Sequence, residues 1–284
     1  MNTIMWIRKY PVVMAAAVWL VAGTATALAD DDNGGCAGMP SYEQLRTALQ
    51  TATSAETSGL NLNMWGTIVD RDGNVCAVAF SGNGRGSQWI GSRVISAQKA
   101  NTANLFSLDS SSSSGGSGAA GGLSLSTANL YSAVQPGGSL FGLQLSNPVD
   151  TQVAYKGPAS RWGTPQDQMT GNKIGGVNVF GGGLALYASG HKLVGGVGVS
   201  GDTSCADHNI AWRVRNLLGL DHMAPTPGGL PAVGGVSGDP LRPDNIIFDI
   251  TDNPSGGTGK SAGGFGHPSC INTSGSGSLA PVIP

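Results

Sequence analysis

The sequence predicts an α+β domain, in which an antiparallel sheet is flanked by helices. Blocks of helical periodicity alternate with β-rich runs in the order helix, two strands, helix, insertion, two or three strands, helix. Two of the β-rich pairs are joined by short turn sequences, Arg71-Asp72-Gly73-Asn74 and Ser189-Gly190-His191-Lys192. Strands joined so closely pair antiparallel, and a short antiparallel sheet needs helices packed on it to bury its apolar face.

The chain opens on a segment read as targeting, not structure. Arg8 and Lys9 form a basic start, Val12 to Ala22 a short apolar core, and Ala27-Leu28-Ala29 a cleavage site before Asp30. Residues 1–29 are therefore expected to be a signal peptide. Its apolar run is too short for a comfortable membrane span, and no other segment approaches one. The mature chain, about 255 residues, is expected to be soluble and exported, either to a periplasm or outside the cell.

Ser41-Tyr42-Glu43-Gln44 after Pro40 has the form of a capping box. Leu45, Ala48, Leu49 and Ala52 follow at helical spacing, so this helix buries one face and is expected to end near Ser58-Gly59. Trp65 to Asp70 and Val75 to Ser81 flank an Asp-Gly turn, the strongest hairpin signal in the chain. Gln88 to Phe106 reads as a second helix, with Ile90, Val94, Ala97 and Ala100 or Asn101 on one face.

An insertion spans 107–174. Its first part, Ser107 to Gly122, is Ser/Gly-rich and reads as a flexible surface loop. A short helical pattern occupies Ser126 to Val134, and Gln135 to Asn172 is irregular. Leu184 to Ala188 and Leu193 to Ser200 then form the second hairpin, feeding a helix over Ser204 to Leu218. Beyond Asp221 only Asn245 to Ile250 shows any period. Residues 222–284 are expected to wrap the domain at 30–221 as an ordered extension.

Without Arg8 and Lys9 the chain carries 13 basic against 17 acidic residues, a net charge of −4, and no basic stripe. Nucleic acid is an unsuitable partner, because phosphate contacts need clustered Lys or Arg. All four cysteines (Cys36, Cys76, Cys205, Cys270) lie in the mature part. An even number in an exported chain argues for two disulfides. Of the three pairings, Cys36–Cys76 would tie the mature N-terminus to a core strand, and Cys205–Cys270 the tail to the last helix. A four-cysteine metal site lacks any C-x-x-C pair, and no metal is expected.

The stretch from Gly175 to Arg215, GGVNVFGGGLALYASGHKLVGGVGVSGDTSCADHNIAWRVR, resembles the signature hairpin of the GlcG/HbpS family of haem-binding proteins. Asn178 stands where that family usually has proline. Gln98-Lys99-Ala100-Asn101-Thr102-Ala103 is similar to the family's K-A-x-T-A helix. The resemblance covers about Ser41 to Phe106 and Gly175 to Leu218. It implies a profilin-like domain, haem as a non-covalently bound cofactor, and a homo-oligomer. It also implies that Thr102 offers its hydroxyl to the iron and that Lys99 pairs with a haem propionate. The plain alternative makes Lys99 a solvated helix charge and Thr102 a packing residue. Asn101, where the family is usually apolar or aromatic, makes the pocket more polar. The absence of C-x-x-C-H excludes that type of covalent haem attachment.

A second constellation is Gly201-Asp202-Thr203-Ser204-Cys205-Ala206-Asp207-His208. Asp202, Thr203 or Ser204 can cap the helix, and Asp207 suits its first turn. His208 is the distinctive addition. It can ligate haem iron as an imidazole, or serve with Asp207 or Asp202 as a metal or general-base site. The bland alternative is a local hydrogen bond. Arg213 and Arg215 read as solvated, and Trp89, Trp162 and Trp212 are candidates for a ligand wall. No metalloprotease, nucleophile-elbow, P-loop or Rossmann motif is present. The favoured function is an exported haem-binding or haem-sensing accessory protein. The competing readings are an enzyme using His208 with Asp202 or Asp207, and an assembly module built on the glycine-rich insertion and tail.

Overall fold

A computed structural model describes residues 35–112, 121–257, 259–273 and 278–284. The predicted signal peptide and part of the Ser/Gly-rich loop lie outside the described residues. The first helix, α1 (Tyr42–Ser54), starts as its sequence dictates. Ser41 Oγ accepts from the Gln44 N–H, and the Gln44 side chain accepts from the Ser41 N–H. It stops short of Ser58 because the Glu56 carboxylate accepts from the Ser58 N–H at 2.9 Å and pairs with Arg213, holding the chain off the helical path.

Strands β1 (Trp65–Asp70) and β2 (Val75–Phe80) form the first hairpin. Helix α2 (Ser92–Leu105) begins later than Gln88, since a turn from Trp89 to Ser92 precedes it and leaves Trp89 and Ile90 exposed. Three one-turn helices, α3 (Leu130–Ala133), α4 (Leu143–Ser146) and α5 (Thr151–Ala154), punctuate the insertion. Strands β3 (Gly183–Ala188) and β4 (Lys192–Ser200) and helix α6 (Ser204–Leu217) follow. A two-residue pair, β5 (Ile250–Thr251) and β6 (Lys260–Ser261), lies in the extension.

The main sheet has the order β2-β1-β4-β3, and every pairing is antiparallel. Helix α2 covers one face, while α1 and α6 cover the other. Alternation along β1 shows why both faces are dry. Trp65 and Val69 join the core on the α2 side with Val94, Ala97 and Ala100, whereas Ile68 joins Leu45, Leu49, Ile210 and Val214. Helix α2 lies unusually near β4, because a Cβ at Gly198 would stand 1.9 Å from the Ser96 carbonyl oxygen. Only glycine permits that backbone-to-backbone approach.

The insertion is anchored, although its sequence is irregular. Arg93 on α2 makes a bidentate pair with Asp167 (2.9 and 2.5 Å) and donates to the Ala154 carbonyl, with its guanidinium over Trp162. Asp167 also accepts from the N–H groups of Gly163 and Met169. One buried carboxylate thus organises the segment that packs against the edge strand β2. The extension is held in the same manner. Arg215 is not solvated but forms a fully buried bidentate pair with Asp244, which also accepts from Ser124. Burial alone would raise the Asp244 carboxyl, but Arg215 and Ser124 outweigh it and hold it low.

Two disulfides form, Cys36–Cys76 and Cys205–Cys270, closing 40 and 65 residues of sequence. Chain-entropy arguments assign each about 4 kcal/mol of stabilisation.

Candidate functional site

The loop Asn178–Gly182 runs between α2 and α6, and Thr102, Lys99, Asp207 and His208 lie along it. At one end, Thr102 on α2 accepts the Asn178 N–H at 2.9 Å and donates to the Gln98 carbonyl at 2.7 Å. The first of these bonds exists because residue 178 is not proline, which has no N–H. Asn101 turns its amide to the Gly176 carbonyl at 3.0 Å.

In the middle, Lys99 reaches across to Asp207 at 2.7 Å and donates to the Val199 carbonyl at 3.1 Å. The Phe180 ring lies over the ammonium, 4.0 Å from centroid to Nζ. A Cβ at Gly182 would fall 2.3 Å from the Val199 carbonyl oxygen and 3.0 Å from Lys99 Nζ, so a side chain there would collide with the pair. Lys99 and Asp207 are both fully buried, so Lys99 is no solvated charge. Burial lowers Lys99 and pushes Asp207 up to about 6, with their mutual attraction opposing both shifts. The Asp207 carboxylate also accepts from the N–H groups of Gly201 and Asp202, three donors in all.

At the other end stands His208, fully buried beside Trp212, with ring centroids 6.1 Å apart. Its Nε2 faces the Ile246 N–H and the Asn245 side chain, each at 3.2 Å. Its Nδ1 has no hydrogen-bond partner among the described residues. Burial pulls the imidazole down to about 4, so it is neutral at neutral pH.

The structure does not bring His208 together with either carboxylate proposed beside it. Asp207 is committed to Lys99 and the backbone. Asp202 accepts from the N–H groups of Leu60, Leu62 and Thr203, tying the α1–β1 connection to the start of α6. The cap of α6 is Thr203, whose hydroxyl accepts from the Ala206 N–H. Arg213 pairs with Glu56. Of the three tryptophans, Trp212 neighbours His208, Trp162 lies under Arg93, and Trp89 is exposed.

His267 and Ser204 meet as a pair that no spacing in the sequence marks. His267 Nε2 lies 2.6 Å from Ser204 Oγ, although the two residues are 63 positions apart. The signal that finds them is the cysteine pairing, since Ser204 precedes Cys205 and His267 lies just before Cys270. Among the described residues, two clusters combine metal-ligating side-chain types, Cys205-His267-Cys270 and Cys36-Asp70-Cys76. In both, the sulfurs are joined in a disulfide and offer no thiolate.

Against solved structures, the chain is similar to the Klebsiella pneumoniae protein ORFY at 24% identity and a TM-score of 0.39, covering 62% of this chain and 86% of that one. It is similar to a PduOC–haem complex at 22% identity and a TM-score of 0.39, covering 62% and 89%. No curated protein matches it. The family described as haem degrading protein, HbpS-like, matches residues 41–216, well over half of the chain, and the chain belongs to that HbpS-like family.

Proposed function

We propose that this protein is an exported haem-binding or haem-sensing accessory protein, holding haem or a similar planar ligand non-covalently as a homo-oligomer. Family membership supports the ligand class, and the two disulfides support passage through an oxidising compartment. Among the described residues no helix is long and apolar enough to cross a membrane. All four cysteines are paired, so no thiol is available for thioether attachment.

The observation that carries the reading is the buried Nδ1 of His208, which makes no hydrogen bond among the described residues. Of the three residues expected to meet haem, Thr102 has its hydroxyl engaged twice and Lys99 its ammonium engaged by Asp207, while His208 Nδ1 is buried with no hydrogen-bond partner among the described residues. A buried polar atom without a partner costs free energy unless something satisfies it. With Nε2–H donating to Asn245 Oδ1 and the Ile246 N–H given to that same oxygen at 2.9 Å, Nδ1 is the bare nitrogen, and a bare imidazole nitrogen is a good iron ligand where a hydroxyl is a poor one. In this chain the iron ligand is therefore His208 before Thr102. Lys99 would meet a propionate only by giving up Asp207 and Phe180 for it. Haem held here would supply a ligand-binding iron, with His208 presenting its imidazole to it and Lys99 balancing the propionate charge.

The test is a haem titration of the mature, disulfide-intact protein, followed by absorption. A saturable Soret shift at one haem per chain, or at a fixed fraction per oligomer, is expected. It should vanish in His208→Ala and persist in Thr102→Ala. A spectrum no different from free haem would overturn the proposal.

A further inference from the structure

We infer that Ser204 and His267 form a nucleophile–base pair able to cleave small activated esters, a second chemistry independent of haem. Proton positions in the pair follow from the acceptors around it. His267 Nδ1 lies 2.7 Å from the Pro268 carbonyl, which can only accept, so Nδ1 carries the ring proton and Nε2 is bare. Ser204 Oγ receives the Gly181 N–H at 2.6 Å, so its own proton is directed to Nε2, 2.6 Å away. This is the tautomer and direction that a general base needs to activate a hydroxyl, with a backbone carbonyl in place of the usual orienting carboxylate. Burial holds the imidazole down at about 4, so it is an unprotonated base at neutral pH.

The surroundings suit the same chemistry. Ser204 is the first residue of the 14-residue helix α6, whose positive end favours negative charge developing beside it. Ser204 is partly exposed, whereas His267 is buried. Tyr131 packs on the imidazole, with ring centroids 4.8 Å apart. Tyr131 and Pro268 also line a cleft of about 1140 Å³ between the insertion and the extension, with Ile250, Lys260 and Phe265 on its walls. The cleft reaches the pair only through these two neighbours of His267, Tyr131 on its ring and Pro268 next in sequence, and it is large enough for a small ester. The pair is assembled by the Cys205–Cys270 disulfide, which fixes the two chain segments side by side.

In the reaction, Ser204 Oγ attacks the ester carbonyl carbon while its proton passes to His267 Nε2. The tetrahedral adduct collapses with cleavage of the carbon–oxygen bond, and Nε2 returns the proton to the departing alkoxide. Water, deprotonated by the same nitrogen, then attacks the acyl carbon; the bond to Ser204 Oγ breaks, Nε2 returns its proton to Oγ, and a carboxylic acid is released.

The experiment treats the mature, disulfide-intact protein with a fluorophosphonate probe and locates the adduct by mass spectrometry, alongside p-nitrophenyl acetate hydrolysis. A single adduct on Ser204 is expected, with hydrolysis at least tenfold above Ser204→Ala. His267→Gln should lower both by a similar factor, and so should reduction of the disulfides. No adduct, or an adduct that His267→Gln leaves unchanged, would overturn the inference and leave the contact structural. If His267→Gln fails to fold, the wild-type adduct decides, since labelling anywhere but Ser204 also overturns it.

Discussion

Lys99 on α2 and Asp207 on α6 meet at 2.7 Å with neither side chain exposed, which joins the two helices through the end of the sheet. Removing one partner of such a pair strands a buried charge, whereas replacing both removes the desolvation penalty together with the attraction. Lys99→Met alone should therefore cost about 3–5 kcal/mol. The double variant Lys99→Met/Asp207→Leu should cost clearly less than the two single changes added. A double-mutant cycle by chemical denaturation checks this, and strict additivity would show that the charges do not interact.

The close seating of α2 on β4 gives a second expectation. A methyl at residue 198 would stand 1.9 Å from the Ser96 carbonyl oxygen, a backbone atom that no rotamer change can move. Gly198→Ala should lose about 3 kcal/mol or more, as overpacking does where nothing can yield. Gly84→Ala is the control, because a Cβ there meets nothing within 4 Å. Thermal unfolding of the two variants should separate them by several degrees.

Cys205–Cys270 supports a third. The bridge closes 65 residues of sequence and holds the extension to α6 together with the Arg215–Asp244 pair. The variant Cys205→Ser/Cys270→Ser should lose about 4 kcal/mol. Hydrogen exchange should rise first at Asn245, Ile246 and His267, which lie against α6. Uniform acceleration across the sheet would mean that the extension is held by packing alone.

What the sequence made legible is what local chemistry encodes. Ser41 and Gln44 three residues apart announced the start of α1, and Asp72-Gly73 the first hairpin. The glycines around Asn178 to Gly198 and the Lys99–Thr102 helix carried the family. Hidden were contacts between residues far apart in sequence, which leave no periodic trace. Nothing near Asp167 announces that it neutralises Arg93, and nothing near Asp244 that it buries Arg215. An arginine beside helical polar residues reads as solvated until its partner from another segment is seen. The roles of Asp202 and Asp207 were hidden for the same reason. Their partners are backbone N–H groups and a lysine 108 residues away, so proximity to His208 in sequence suggested a pairing that the fold does not make.

Acid stability gives the last prediction, and its sign depends on three buried groups. Burial depresses His208 and His267 to about 4, against an ordinary histidine value of 6.5. Between those values the unfolded chain binds protons that the folded chain does not, so stability falls as pH drops from 6.5 towards 4. Asp207 acts in the opposite sense. Burial lifts it to about 6, so below that pH the folded state takes up a proton sooner than the unfolded chain and recovers part of the loss. Two histidines against one carboxylate leave a net loss on acidification, at a slope of up to about 1.4 kcal/mol per pH unit for each uncompensated proton. Denaturation midpoints at pH 7, 5.5 and 4.5 should therefore decline in the wild type. In His208→Gln/His267→Gln the decline should flatten or reverse above about pH 5, because Asp207 then dominates until the depressed Glu56 and Asp244 carboxyls begin to matter. A parallel decline in both proteins would place the acid sensitivity in other groups.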